Sequence, residues 1–201
     1  MAANFVFGRI GWIFKTESVI VPAFVDAISG AGWVRGLLPI VNRVSQSVPP
    51  FVLAARVKQA PLKKRIYFRA AIAMAMPFSI IGFVLLWLGE RPAPWWLVWV
   101  FLALYAAFFA STGIWANAQG SLQGKLIAPE HRGRLMAVST SLGAASAAFC
   151  AWWLLPGWLE APGTLGFAYA FLFVGGFMSL AALCTPFLRE HPDDVQELDG
   201  T

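Results

Sequence analysis

Four segments of this chain, residues 66–88, 94–117, 134–156 and 165–188, carry no more than one charged side chain apiece. Each exceeds the roughly 20 mainly apolar residues that take a helix across a hydrocarbon layer about 30 Å thick. No other feature constrains the fold as strongly. Backbone amides in lipid must bond within the protein, and a helix does this inside each segment. The links between these segments are breakers and charges: Gly89-Glu90-Arg91-Pro92-Ala93, the polar stretch 118–133, and Glu160-Ala161-Pro162-Gly163-Thr164. Pro and Gly there end helices for steric reasons.

The composition agrees. The chain is 59% hydrophobic and 12% charged, where soluble domains run at about 45–50% and about 25%. This excludes a disordered chain and a water-soluble enzyme. The first sixty residues are less clean, holding Arg9, Lys15, Glu17, Asp26, Arg35 and Arg43. The Ser29-Gly30-Ala31-Gly32 turn divides them into spans near 4–26 and 33–56. The expected fold is an all-α membrane protein with six transmembrane helices within residues 1–188, followed by an acidic, solvated cytoplasmic tail over 189–201.

Charge placement sets the expected orientation. Arg56, Lys58, Lys63, Lys64 and Arg65 follow the second span, and Lys125, Arg132 and Arg134 lie between the fourth and fifth. Basic residues in short loops stay in the cytoplasm, so both termini are expected there, in a plasma (bacterial inner) membrane. Trp95, Trp96, Trp153 and Trp158 then mark the outer interface. Because the net charge of +5 is taken up by these loops, the expected partner is the lipid bilayer and no nucleic acid is implied. Cys150 and Cys184 lack CxxC spacing, and His131 and His191 lie in polar stretches, so neither a metal nor a cofactor is expected. No HExxH or GxSxG motif and no aspartate pair within a span is present, so no enzymatic activity is expected.

Two short motifs and the span count carry a resemblance. The loop Ala55-Arg56-Val57-Lys58-Gln59-Ala60-Pro61-Leu62-Lys63-Lys64-Arg65 ends in the basic run that closes a Gly-x-x-x-Asp-x-x-Gly-Arg-Arg/Lys signature. Pro129-Glu130-His131-Arg132-Gly133-Arg134 leads into the fifth span as a Pro-x-x-Arg-Gly motif does. In both, and in six spans with cytoplasmic ends, the chain resembles the N-terminal half of a major facilitator superfamily transporter. The signature's Asp and glycines are absent here, and the fourth span lacks the embedded arginine of proton-coupled members.

The resemblance implies two inverted three-helix repeats and a secondary transporter of a small polar or anionic organic solute, working by alternating access. It also implies a gating role for Lys63, Lys64, Arg65, Arg132, Gly133 and Arg134. One half requires a partner, either a second six-helix half or a second copy. The alternative is a non-transporting membrane scaffold, a degenerate half-transporter. From the residues themselves, Glu17 and Arg43 each lie thirteen residues, about 20 Å, from the inner ends of their spans. A lone charge at that depth costs at least about 2.5–3.5 kcal/mol. The expectation is that Glu17 pairs with Arg43, or that both face one cavity with Lys15, Asn42 and Gln46.

Overall fold

The computed structural model describes residues 2–15, 19–188 and 190. Among these residues there are seven helices and no strand: α1 (Ala2–Phe14), α2 (Ile20–Ser29), α3 (Gly32–Gln59), α4 (Lys63–Leu88), α5 (Leu97–Leu126), α6 (Pro129–Leu159) and α7 (Leu165–Leu183). Four of them, α4 to α7, are long and apolar enough to cross a membrane. The 28-residue α3 has the length but carries Arg35, Asn42, Arg43 and Gln46. The region read as a first span comprises two helices of 13 and 10 residues.

Local sequence explains the ends. The N–H of Gly30 closes α2 by bonding to the Asp26 carbonyl at φ +60°, a left-handed conformation that costs glycine nothing. Arg35 ties the far side of that turn to Asp26 at 3.2 Å. Pro129 opens α6 at its first turn, where a missing N–H is no loss. His131 and Arg134 therefore belong to a helix rather than a loop, because proline fixes the helix start before them.

Helix α4 packs between α5 and α7, α1 lies against α6 and α7, and α3 lies against α5. The short α2 reaches the core through Val21, Phe24 and Val25. Phe24 is its hub, with ring centroids 5.0 Å from both Phe101 of α5 and Phe171 of α7. In lipid, where apolar contact with tails is no worse than with protein, helices associate through close backbone approach at small residues. Three crossings show this. The buried residues of α6 are Ser139, Gly143 and Ala147, four apart on one face; a Cβ on Gly143 would stand 2.6 Å from the Arg9 Cβ. Gly113 of α5 abuts the Gln46 carbonyl and Pro50 of α3. On the α4–α7 crossing, Gly82 faces Leu172 and Gly175 faces Ser79.

One end of the bundle is basic. It gathers the start of α4 (Lys63, Lys64, Arg65), Lys125 at the end of α5, and Arg132 and Arg134 at the start of α6. Glu190 departs from the solvated tail expected of 189–201. Its side chain is fully buried and its two oxygens accept from the Lys63 and Lys64 backbone N–H groups at 3.1 and 2.8 Å. Lys125 Nζ lies 3.3 Å away. The carboxylate caps the positive end of α4. The other tail residues, 189 and 191–201, lie outside the described ones.

Candidate functional site

Three of the longest helices meet their neighbours near their midpoints. Gly143, which receives Arg9, stands close to the middle of the 31-residue α6. Gly113 stands just past the middle of the 30-residue α5. Its neighbour Gln46 stands at the middle of the 28-residue α3. With a rise of 1.5 Å per residue, these positions lie about 20 Å from the helix ends. Arg9 and Gln46 thus sit at the middle depth of the bundle.

Between them is a cavity of about 310 Å³. Helices α1 and α5 contribute most of its wall, α1 through residues such as Asn4, Arg9 and Trp12, and α5 through Thr112, Trp115 and Gln119. Met74, Met136 and Met178 add thioether surface from α4, α6 and α7, and Gln46 and Thr140 add polar groups from α3 and α6. Among the described residues that line it, Arg9 alone carries a charge.

One side of the cavity is held by a buried relay. Tyr67 donates its hydroxyl proton to the Asn4 side-chain oxygen, and the Asn4 amide donates to the Ala181 carbonyl. This joins α4, α1 and α7 through one asparagine. The Tyr67 ring stacks on Trp115 at 5.5 Å, fixing the orientation of that wall. Thr112 spends its hydroxyl on the Phe108 carbonyl one turn back, at 2.9 Å. Among the described residues, the Arg9, Gln46, Gln119 and Thr140 side chains have no hydrogen-bond partner and belong to the cavity wall.

No protein-family model, characterised protein or solved structure matches this chain.

The residues singled out from the sequence are only partly brought together. Gln46 lines the cavity. Asn42, one turn earlier on α3, is half-buried outside it, and Arg43 is exposed. Lys15 is buried behind the cavity wall. Its Nζ lies 4.0 Å from the Trp12 ring centroid and 4.4 Å from that of Phe109, a cation–π seat that offsets lost hydration. Glu17 lies outside the described residues, and so does the expected Glu17–Arg43 pair. Of the gating candidates, Lys63 and Lys64 offer their amides to Glu190. Arg132 donates to the Ile127 and Gly124 carbonyls at 2.8 and 2.9 Å, closing the end of α5. Arg65, Gly133 and Arg134 are exposed.

Arg9, Asn4, Tyr67, Trp115 and Gln119 are the site residues that sequence reasoning passed over. The available signal is Arg9 itself, a charge in an apolar stretch six residues before Lys15. Both charges are evident in the sequence, but nothing there says which of them faces a cavity.

Proposed function

We propose that this chain is one half of a secondary transporter of the major facilitator type, moving a small polar or anionic organic solute by alternating access. The observation that carries the proposal is the cavity itself: between helices, reaching from Gln46 at the middle of α3 to Asn4, Gln119, Met136 and Ala181 towards the basic end, with an arginine and two glutamines in its wall. Transporters bind their solutes near the bilayer midplane, at the interface between repeats. A scaffold gains nothing from an exposed arginine at that depth, which costs at least about 2.5–3.5 kcal/mol unless it is wet or paired.

Helix adjacency supports two inverted repeats. Take α1/α2, α3 and α4 as the first three spans and α5, α6 and α7 as the last three. Exchanging the two sets turns the α1–α6 contact into α5–α3 and the α1–α7 contact into α5–α4. The α4–α7 contact maps onto itself, and every one of these pairings is present. The self-mapping crossing is itself reciprocal, Gly82 against Leu172 and Gly175 against Ser79. The dominance of α1 and α5 in the cavity wall is what such a repeat requires of its first and fourth spans.

A covering half is part of the proposal, with the basic end in the cytoplasm. Helix α6 buries 17% of its most apolar stretch, against 44–50% for α4, α5 and α7. Helix α3 exposes Phe51 and Val48 beside Arg43. A mid-depth arginine on an otherwise apolar face favours protein or water over lipid as its neighbour.

Cysteine accessibility tests the proposal. In a chain carrying Cys150→Ala and Cys184→Ala, single cysteines at Gln119 and Thr140 are labelled with a membrane-impermeant maleimide from either face of oriented vesicles. Transport by alternating access exposes each cysteine to both faces, in proportions that solute changes. Labelling from one face only, indifferent to every solute offered, refutes it in favour of a scaffold.

A further inference from the structure

We infer that the cavity binds an organic monoanion with an apolar body, whose carboxylate or equivalent group sits on Arg9. This rests on the reading of the cavity as a solute site and adds the chemical class.

Charge comes first. Arg9 lines the cavity opposite Gly143, at the midpoint of α6. Among the described residues, no carboxylate lines the cavity and none pairs with Arg9. The described acids Asp26, Glu90, Glu130, Glu160 and Glu190 all lie at helix ends or in the links. Arg9 shares the cavity wall with Trp and Met and, among the described residues, with no acid, so its counter-charge comes from the solute. A solute with a single negative charge neutralises it. A dianion carries one charge more than Arg9 supplies, and an ammonium group meets a cation with no acid among the described lining residues to offset it.

Geometry and surface narrow the class further. The guanidinium presents a planar fork of donors that fits a carboxylate in two parallel hydrogen bonds. The amide groups of Gln46 and Gln119 supply neutral donors from α3 and α5 without adding charge. The remaining wall includes Trp12, Trp115, Met74, Met136 and Met178, which suits an aromatic or branched aliphatic body and wastes a bare inorganic anion. A volume of about 310 Å³ stands at the lower end of the roughly 300–1,000 Å³ range of ligand pockets, so the solute is small.

Equilibrium binding of radiolabelled benzoate to the full chain in lipid nanodiscs tests the inference, with benzylamine and chloride as competitors. Saturable benzoate binding is expected, insensitive to benzylamine and to millimolar chloride. Arg9→Gln should weaken it at least tenfold and Arg9→Lys should restore part of it, with circular dichroism and gel filtration showing both variants folded. The inference is overturned by absence of saturable benzoate binding, by tighter binding of benzylamine, or by a folded Arg9→Gln protein that binds benzoate as the parent does. Transport is judged separately. Arg9-dependent binding with cysteines at Gln119 and Thr140 labelled from one face only leaves the ligand class standing and removes the transporter; labelling from both faces without benzoate binding does the reverse.

Discussion

Substituting Gly113 by alanine is the most direct test of how the central crossing is built. A Cβ at this position would lie 3.0 Å from the Pro50 Cδ and closer still to the Gln46 carbonyl oxygen. Ordinary carbon contacts stand at about 3.5–4.0 Å, so α3 and α5 must move apart by about 1 Å. Neither neighbour is a flexible side-chain tip that could swing aside: one is a backbone carbonyl in a helix and the other a proline ring. A gap of that size forfeits a quarter to a half of the dispersion energy across the interface, and overpacking costs about 1–3 kcal/mol. The upper end is expected here, about 3 kcal/mol. Gly120, seven residues along the same helix, is exposed with nothing within 4 Å of its would-be Cβ. There the same change should stabilise by about 1 kcal/mol through helix propensity. The two variants should therefore differ by about 4 kcal/mol, nearly a thousandfold in the unfolding equilibrium. Denaturation in mixed micelles with increasing dodecyl sulfate, followed by near-ultraviolet circular dichroism, measures this. Equal stability of the two variants would mean that α3 and α5 do not cross at Gly113.

Tyr67→Phe leaves the Asn4 oxygen without its donor and should cost about 1–3 kcal/mol; in a double-mutant cycle with Asn4→Leu, the two changes should be strongly non-additive. Glu190→Ala removes both the cap of α4 and one partner of Lys125, an expected loss of about 2 kcal/mol, read as faster hydrogen exchange at the Lys63 and Lys64 amides. Arg132→Ala should speed exchange selectively in the last turn of α5, at a cost of about 1 kcal/mol. The purified chain in mild detergent should run as a dimer or larger species on light-scattering chromatography, since α3 and α6 expose Phe51 and Trp152 at 87% and 81%; a monodisperse, stable monomer would count against a missing half.

The long apolar segments were legible because hydropathy over a whole span is a local property. Each is taken up by one helix, though residues 94–96 precede α5, residues 184–188 follow α7, and α5 and α6 extend past the apolar stretch at the basic end. Residues 118–126 and 129–133 are polar enough for water, yet no proline stops α5 before Leu126. The first span was harder because its charges masked its boundaries, and the chain gives it two helices, α1 and α2. The site was legible only at Gln46, read as one member of a polar stripe with Asn42 beside Arg43, of which Gln46 alone lines the cavity. Arg9 and Arg43 look alike in sequence, each an arginine in a largely apolar helix. Arg9 meets the cavity because α1 lies against α6 at a glycine, and Arg43 is exposed because α3 meets α5 through Gln46 and Pro50, a few residues further on. Such distinctions belong to pairs of helices, and no single segment holds them. The Glu190 cap was invisible for the same reason: its partners lie 126 and 127 residues away.

That distance sets an order of events during synthesis. Lys64 leaves the ribosome 126 residues ahead of Glu190, an interval of roughly 6–25 s at about 5–20 residues per second. Throughout it, the leading amides of α4 have water or lipid headgroups as partners, and α5, α6 and α7 must be made before the carboxylate arrives. A chain halted at Leu188 contains every apolar segment and still leaves α4 open at its basic end. The seal on the fourth helix is thus a record that the seventh has been completed.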